Sequence, residues 1–363
     1  MTTVSQMIPF LAEGYEEKCL ELGVIQRQRG IRTPADLMML SLFHLNNGCS
    51  LMEVSEVSRL LKMGEFSDVA FMKKFGKCTE WFKWVSEQLS PKMVADYEKP
   101  SYLEKFRVIA FDGSKVIEKG SSGQTFNLHY GIDIFKMCSA DYKITKEEIG
   151  EKLSNFSLVK GDLAIADRAY GTIGGIEHCI ENDADYILRL RTGCFKVYDE
   201  NEVGIDFLTQ FEGLDFEQCK DFSGFVKTNS RKKLPVRICV KRKSKESCEQ
   251  SLRRLRRRES RKGQKLSGET IRFNEYIVLA TSLPDSVSAC DILETYRYRW
   301  QVEMFFKRLK SILDFGELPK KKENSSLAWL NGKLMVALLI EAFLSASSFS
   351  PAEKKRIEAF GGK

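Results

Sequence analysis

The sequence predicts a mixed α/β protein with a helical segment in front of it. From about residue 105 onward, short apolar runs typical of buried strands, such as Val108–Phe111 and Leu163–Ala166, alternate with helical segments. Residues 1 to 95 show helix start signals and helical periodicity instead. A chain of 363 residues exceeds one ordinary core, so we expect two or three domains.

In the N-terminal segment, two helix starts stand out. Thr33-Pro34-Ala35-Asp36 supplies an N-cap, a proline in the first turn and an acid, and Ser50-Leu51-Met52-Glu53 has capping-box spacing. Two helices separated by Asn46-Asn47-Gly48 could form a DNA-binding helix-turn-helix or could simply be core. The nearly neutral charge of the first ninety residues does not favour DNA, and both readings stay open.

Residues 105 to 191 predict the first part of a sheet. A helix is predicted from about 172 to 182, and Thr145–Leu153 also has helical composition. Two of the predicted strands end on an acid, Asp112 and Asp167. The predicted strands are Val108–Phe111, Phe126–Phe135, Met137–Ile144, Leu163–Ala166 and Tyr186–Leu190.

Residues 192 to 271 change character. Val236, Ile238 and Val240 alternate with polar residues, which predicts a half-exposed strand, and Asn229–Lys232 could turn a hairpin before it. Between residues 231 and 265 there are sixteen Lys and Arg but only three Glu, so this segment has a net charge of about +13 (16 − 3), whereas the whole chain has a net charge of +7. Its helix or arm, Arg253–Lys262, is either a solvated surface or a contact surface for phosphates.

After residue 272 the α/β pattern resumes. We predict a strand at Tyr276–Ala280 and one long helix from Ala289 to Leu313. The apolar run Leu334–Ile340 is shorter than the ~20 residues of a membrane span, so we expect a buried helix, no membrane association and a cytoplasmic protein without a secretory signal.

The ten cysteines are scattered without a Cys-x-x-Cys pair, which favours reduced thiols. The three histidines are too few for a zinc site, so any bound metal is expected to have oxygen ligands.

Asp112 and Asp167 are the first candidate site residues. Acids at the carboxyl ends of neighbouring buried strands meet at one edge of a sheet, where ligands bind. Two carboxylates brought close repel each other unless a cation lies between them, and carboxylates holding metal ions are what phosphoryl chemistry requires. The alternative is that each aspartate only caps a turn.

The predicted long helix adds a third acid. At ~100° per residue, Tyr296, Arg299, Glu303 and Lys310 share one narrow stripe. Glu303 could complete a metal site with phosphate-binding cations on either side, or Arg299 and Glu303 could be an ordinary i,i+4 ion pair. The opposite stripe is apolar and faces the core; it comprises Tyr298, Val302, Phe305, Leu309 and Ile312.

The pattern Tyr-x2-Arg-x3-Glu-x6-Lys, met by Tyr296, Arg299, Glu303 and Lys310, resembles the signature of the insertion-sequence-4 family of DDE transposases. Ile109–Ser114 and Ala166–Tyr170 resemble the motifs that carry the family's first two acids. The resemblance covers roughly residues 30 to 345.

The resemblance implies a ribonuclease-H-like catalytic core interrupted by a β-rich insertion. The 136 positions between Asp167 and Glu303 (303 − 167) leave room for that insertion. We therefore expect a helical N-terminal domain (1–95), a core made of 105–191 and 272–345, and an insertion with an Arg-rich segment (192–271).

The resemblance also implies function. Asp112, Asp167 and Glu303 would bind two Mg²⁺ or Mn²⁺ ions for cut-and-paste transposition of an insertion sequence in a bacterial cytoplasm. The DNA partners would be the terminal inverted repeats and the target, held by a homodimer in the synaptic complex. The expected DNA-binding residues are Tyr296, Arg299, Lys310, Arg253, Arg254 and Arg257.

One departure from the family concerns tryptophan. Relatives stack a flipped terminal base on a tryptophan of the insertion, but this chain has Trp only at 81, 84, 300 and 329. Another aromatic such as Phe225 would have to serve, or a hairpin intermediate would be less well supported. Two alternatives remain: a metal-dependent DNA nuclease of the same fold, and a catalytically inactive DNA-binding relative.

Overall fold

The computed structural model describes residues 7–26, 30–46, 48–89, 98–118, 125–191, 195–263, 265–318 and 322–346. Within these ranges the helices are α1 (Tyr15–Glu21), α2 (Pro34–Asn46), α3 (Leu51–Leu60), α4 (Asp68–Phe75), α5 (Thr79–Leu89), α6 (Ile173–Glu181), α7 (Phe207–Gln210), α8 (Lys245–Lys262), α9 (Gly268–Phe273), α10 (Ala289–Arg297), α11 (Trp300–Leu313) and α12 (Glu323–Ala346).

One mixed sheet organises the protein. Its strands are β1 (Arg107–Glu118), β2 (Thr125–Asp133), β3 (Cys138–Lys146), β4 (Asp162–Ala166), β5 (Asp185–Arg189), β6 (Cys219–Lys227), β7 (Lys233–Arg242), β8 (Tyr276–Thr281) and β9 (Glu317–Leu318). The order is β3-β2-β1-β4-β5-β8-β7-β6, with β9 pairing the end of β1. Strands β1, β4 and β5 are parallel, and the remaining neighbours along that order are antiparallel.

The sheet separates two apolar cores because side chains alternate along its strands. In β1, Val108 and Ala110 face a large core that also takes in the N-terminal helices and α10 to α12. Ile109 and Phe111 face a second core beneath α6 and α7. Asp112 therefore lies on the side of α11, and Gly113 lies on the side of α6.

The local signals at the helix starts are confirmed. The Ser50 side chain accepts from the Glu53 N–H while the Glu53 carboxylate accepts from the Ser50 N–H, which closes the capping box of α3. Thr33 and Asp36 bond reciprocally at the start of α2. Residue 47, in the predicted turn between these helices, lies outside the described residues.

The apolar C-terminal run forms the centre of α12, as predicted. By length and composition, Glu323–Phe343 could cross a membrane, but 78% of its most apolar window is buried inside the protein. It packs against α5 and α2. This helix is therefore a core element that ties the N-terminal helices to the rest of the chain.

Three details of the sequence prediction are wrong. Thr145–Leu153 is not helical: β3 continues to Lys146, and only a 3-10 turn, Leu153–Asn155, follows. The strand β7 is not half-exposed, because α10 covers its second face and buries Arg237 and Cys239. The third error is the single long helix predicted from Ala289 to Leu313: the structure has two helices there, α10 and α11, which meet at Tyr298 and Arg299.

The mixed α/β class with N-terminal helices is confirmed, and so is the β6–β7 hairpin, where Arg231 adopts a left-handed φ of 63°. The nine cysteines in the described ranges are all free thiols, five of them buried. The predicted domain limits at residues 95 and 192 lie outside the described residues, so the domain division stays a prediction.

Candidate active site

Asp112 does not end its strand, contrary to the sequence prediction. The strand β1 runs on to Glu118 because its antiparallel pairing with β2 continues through Gly113 opposite His129. What ends beside Asp112 is the parallel pairing with β4, whose last register pair is Phe111 with Ala166. Asp167 follows that pair directly, so the two aspartates are neighbours where the parallel strands part.

The two aspartates influence each other electrostatically. Burial and, to a smaller extent, the negative charge of Asp167 raise the pKa of Asp112 to about 6, against the opposing effects of the Gly113 N–H and Arg299. The Gly113 N–H donates to Asp112 Oδ1 at 2.8 Å, and the Ala169 N–H donates to Asp167 Oδ1 at 2.9 Å. The pair therefore favours the approach of a cation.

Arg299 supplies the nearest cation. Its Nη2 donates to Glu303 Oε1 at 2.6 Å, and its Nη1 lies 3.9 Å from Asp112 Oδ2. Its Nε also donates to the Tyr296 hydroxyl at 3.0 Å. Tyr296, Arg299 and Glu303 thus stay together although α10 and α11 are separate helices, because Arg299 bonds to Tyr296 of α10 and to Glu303 of α11.

A cleft of about 560 Å³ opens beside this group. Asp112 lies on its β1 wall, and Glu303 and Lys310 lie on its α11 wall. Sequence reasoning missed Lys307 and Ser311 on the same wall, although their positions four and eight residues after Glu303 are the signal that could have identified them. The apolar side of α11 is buried at Val302, Phe305 and Leu309, as predicted; the Ile312 side chain lies outside the described part.

The chemistry of the donor set fits a divalent cation. Asp112, Asp167 and Glu303 offer carboxylate oxygens, the ligands that Mg²⁺ and Mn²⁺ prefer. Across the described ranges, however, no three acidic, histidine or cysteine side chains stand together closely enough to hold a metal ion. Glu303 is bonded to Arg299, whose guanidinium lies between Glu303 and Asp112.

Comparison with known proteins decides the family. Residues 128–339, more than half of the chain, match the family model described as the transposase DDE domain. The chain belongs to the DDE transposase family.

Two relatives from Escherichia coli support this assignment. The transposase is 29% identical over 347 residues to the putative transposase InsL of insertion sequence element IS186A in strain K12, and 29% identical over 348 residues to the transposase of insertion sequence element IS421. Each match covers 92% of both chains. The predicted activity, that of an insertion-sequence transposase of the DDE class, is thereby confirmed, and transposition implies binding to DNA.

Sequence reasoning missed a second set of cations at the same edge of the sheet. Arg168 follows Asp167, Arg189 ends β5, and Lys243 follows β7. Burial lowers the pKa of Arg168, and the charge of Arg189 lowers it further. Burial, then the charges of Arg189 and Arg168, lower the pKa of Lys243 to about 8. Three mutually repelling cations give the transposase a positive potential next to its acids.

The Arg-rich segment is the helix α8. It begins at the Ser244 N-cap, directly after Lys243, and ends at Gly263 with a left-handed φ of 63°. Four arginines linked by spacings of three and four residues form a row that lines a groove of about 400 Å³: Arg254, Arg257, Arg258 and Arg261. The sequence predicted the first two of them as DNA-binding residues. Arg253, which it also predicted, lies 3.8 Å from Glu249.

Phe225, one aromatic that the sequence offered for stacking a base, lies away from the level of the acids in the sheet. It lies near the β6–β7 hairpin turn, paired with Pro235, whereas the level of the acids corresponds to Asp221 on the same strand. Its ring already stacks on Tyr198, with centroids 5.8 Å apart. Phe225 lies away from the acid edge because it pairs with the start of β7, whereas β7 reaches that edge only at its carboxyl end.

Proposed function

We propose that this DDE transposase belongs to the insertion-sequence-4 group and moves an insertion sequence by cut-and-paste, two-metal-ion cleavage and strand transfer. One observation carries the proposal: Asp112 and Glu303 face one cleft and share the guanidinium of Arg299, while Asp167 lies beside Asp112. The complete Tyr296, Arg299, Glu303 and Lys310 pattern supports assignment to the group.

In this proposal Asp112, Asp167 and Glu303 hold two Mg²⁺ or Mn²⁺ ions. When bound, the ions activate the attacking oxygen and stabilise the leaving oxygen of the phosphodiester. Glu303 accepts from Arg299 through Oε1, so a metal ion that bound this oxygen would compete with the ion pair. A bound cation would favour the charged form of the Asp112 carboxylate, because its positive charge offsets both the burial of Asp112 and the repulsion from Asp167.

The cations of the site bind the DNA. Arg299, released from Glu303, presents a planar pair of donors to a phosphate at the transposon end. Tyr296 orients that guanidinium through its hydroxyl, and Lys310 adds charge from the other end of the cleft. The helix α8 extends this surface with its arginine row, and Arg253, Arg254 and Arg257 contact the phosphate backbone of a longer stretch of DNA.

The strands β3, β2, β1, β4 and β5 form the ribonuclease-H-like core in this proposal, together with α10 to α12. The insertion, residues 192–271, adds β6 and β7 to the same sheet and also contains α8, and residues 1–95 form the helical N-terminal domain. The substrates are the terminal inverted repeats and a target DNA in a bacterial cytoplasm. Two chains pair in the synaptic complex because two transposon ends must be cut together.

The test is a transposition reaction in vitro with end-containing DNA, a target plasmid and Mg²⁺. We expect cleaved and joined products from the wild type and a loss of at least about a hundredfold from Asp112→Asn, Asp167→Asn and Glu303→Gln, with DNA binding retained. Glu294→Gln, which alters an exposed acid of α10, is the matched control. Cleavage without joined product would favour the nuclease, and full activity of Asp112→Asn would refute the catalytic assignment.

A further inference from the structure

The cleft beside Asp112 continues past the acids between β1 and α11. The N-cap of α11 is Arg299, whose guanidinium lies 3.9 Å from Asp112, and the strand β9, which follows this helix, pairs in parallel with Ile117 and Glu118 of β1. Helix and strand pack against each other. Because both start near Asp112 and both end near β9, the two walls of the cleft run in the same direction away from the acids.

Ser114 and Lys307 lie at the same level of these two walls. Ser114 is two residues beyond Asp112, about 6.6 Å along the strand, and it is on the same face because side chains alternate. Lys307 is four residues beyond Glu303, about 6 Å along the helix. Both residues line the cleft, and so does Lys310, three residues later. A serine hydroxyl and two lysines therefore lie on opposite walls beyond the acids.

The Ser114 hydroxyl has an uncommitted hydrogen-bond donor. The residue is only 6% exposed, and its Oγ has no hydrogen-bond partner among the described residues. Since the large majority of buried polar side-chain atoms in folded proteins have a partner, such a hydroxyl is expected to meet a ligand or an ordered water. The other serine of the cleft, Ser311, differs because its hydroxyl already donates to the carbonyl of Lys307 at 2.8 Å.

The charges in this part of the cleft favour an anion over a metal ion. Lys307 and Lys310 have exposed side chains, and neither forms an ion pair with another residue of the described ranges. The acids among the residues that line the cleft are Asp112 and Glu303, which lie at the end where Arg299 holds them. Two lysines and a hydroxyl donor without a carboxylate between them repel a cation and attract a phosphate.

We propose that Ser114 and Lys307 together bind a backbone phosphate of the DNA strand in the cleft. The Ser114 hydroxyl donates to a non-bridging oxygen, and Lys307 supplies positive charge from the opposite wall. The two residues lie about 6 Å beyond the acids, and a DNA strand rises about 3.4 Å per nucleotide, so this phosphate is one or two nucleotides away from the phosphodiester that reacts. The inference rests on the proposed function, since the strand in the cleft is the transposon end.

The experiment measures, by fluorescence anisotropy in EDTA, the binding of the full chain to a labelled duplex that carries the transposon end. We expect Ser114→Ala to weaken binding about tenfold, because a hydrogen bond to a charged phosphate is lost. Ser114→Thr keeps the hydroxyl and should bind within about twofold of the wild type. The matched control is Ser41→Ala, which removes another buried hydroxyl without a partner, in α2, and should bind as the wild type does.

Lys307→Gln tests the same phosphate from the other wall. It should weaken binding, and the plot of the logarithm of the binding constant against the logarithm of the salt concentration should become less steep by about 0.9. Its matched control is Arg308→Gln, which removes one positive charge from the neighbouring exposed position of α11, outside the lining of the cleft. Equal losses of affinity in Lys307→Gln and Arg308→Gln would show that Lys307 has no contact of its own.

Duplexes in which one phosphate at a time is replaced by a neutral methylphosphonate locate the contact. At one position, one or two nucleotides from the cleavage point, the replacement should weaken wild-type binding, and Ser114→Ala and Lys307→Gln should then cause less than about twofold further loss. On the other duplexes both variants should keep their full loss. Losses that are the same on every duplex would overturn the inference, because an indirect effect on the fold gives that result.

Thermal melting shows whether each variant is folded, and Lys307→Gln tests the phosphate by itself if Ser114→Ala is not. Wild-type affinity in Ser114→Ala would overturn the role of Ser114. Asp112→Asn separates this inference from the proposed function, because it should abolish cleavage in Mg²⁺ and still bind DNA in EDTA. If it does so while Ser114→Ala binds normally, the metal chemistry stands and the phosphate contact is wrong.

Discussion

Replacing Arg299 with glutamine tests whether this guanidinium and a metal ion compete for the same carboxylates. The side chain is only 13% exposed and lies 2.6 Å from Glu303 and 3.9 Å from Asp112. At about 4 Å and an effective dielectric constant of about 20, one such attraction amounts to roughly 4 kcal/mol before desolvation is subtracted. Desolvation and the 43% exposure of Glu303 leave a net effect on the order of 1–2 kcal/mol.

This magnitude sets the expected result. Without the competing cation, Mn²⁺ should bind about tenfold more tightly in the absence of DNA, because about 1.4 kcal/mol corresponds to a factor of ten. The metal-free protein should unfold more easily, since Asp112 and Glu303 lose their counter-charge. DNA cleavage should fall despite the tighter metal binding, because the phosphate contact is lost.

Titration calorimetry with Mn²⁺ measures the first effect and a cleavage assay measures the last. Arg297→Gln is the matched control, because Arg297 forms a similar 2.6 Å pair with Glu294 on the surface of α10. Unchanged or weaker Mn²⁺ binding in Arg299→Gln would refute the reasoning.

Three further predictions follow. Burial holds the pKa of Asp112 near 6 in the folded state, above its ordinary 3.8, so as the pH rises from about 4 through 6 the metal-free wild type should lose about 3 kcal/mol of unfolding free energy relative to Asp112→Asn. Urea titrations of both proteins at each pH measure this difference. Arg237→Met should lower the free energy of unfolding by about 3–5 kcal/mol in the same assay. The reason is that the buried guanidinium of Arg237 pairs with Asp221 and donates to the carbonyls of Pro284 and Val287. The control Arg272→Met, which alters an exposed arginine, should change the free energy of unfolding little. In α8, Arg253, Arg254 and Arg257 are replaced together by glutamine. The plot of the logarithm of the DNA-binding constant against the logarithm of the salt concentration should then become less steep by about 2.7. An unchanged slope would show that these arginines do not contact DNA.

Sequence periodicity predicted most elements of the sheet because buried strands and turns are local patterns. It failed where a partner element decides the outcome. Arg237 reads as a solvent-facing residue, but α10 covers it, and its donors are satisfied by carbonyls of a loop about fifty residues later in the chain. Gly113 reads as a strand end, but pairing with β2 carries the strand through it.

The candidate site was predicted unevenly for the same reason. The spacing of Arg299, Glu303 and Lys310 could be read from the helix repeat, and the comparisons confirm the transposase that this pattern indicated. Arg189 and Lys243 carry no such local signal. They come to the acid edge from separate segments of the chain through the order of the strands.

By itself, the sequence determined the class of the protein, and it predicted the three acids, because motif spacing and buried-strand patterns are properties of neighbouring residues. Only the tertiary structure decided that Arg299 lies between Asp112 and Glu303. The physical reason is that electrostatic and steric contacts depend on distance in space, which strand pairing and helix packing set and sequence separation does not.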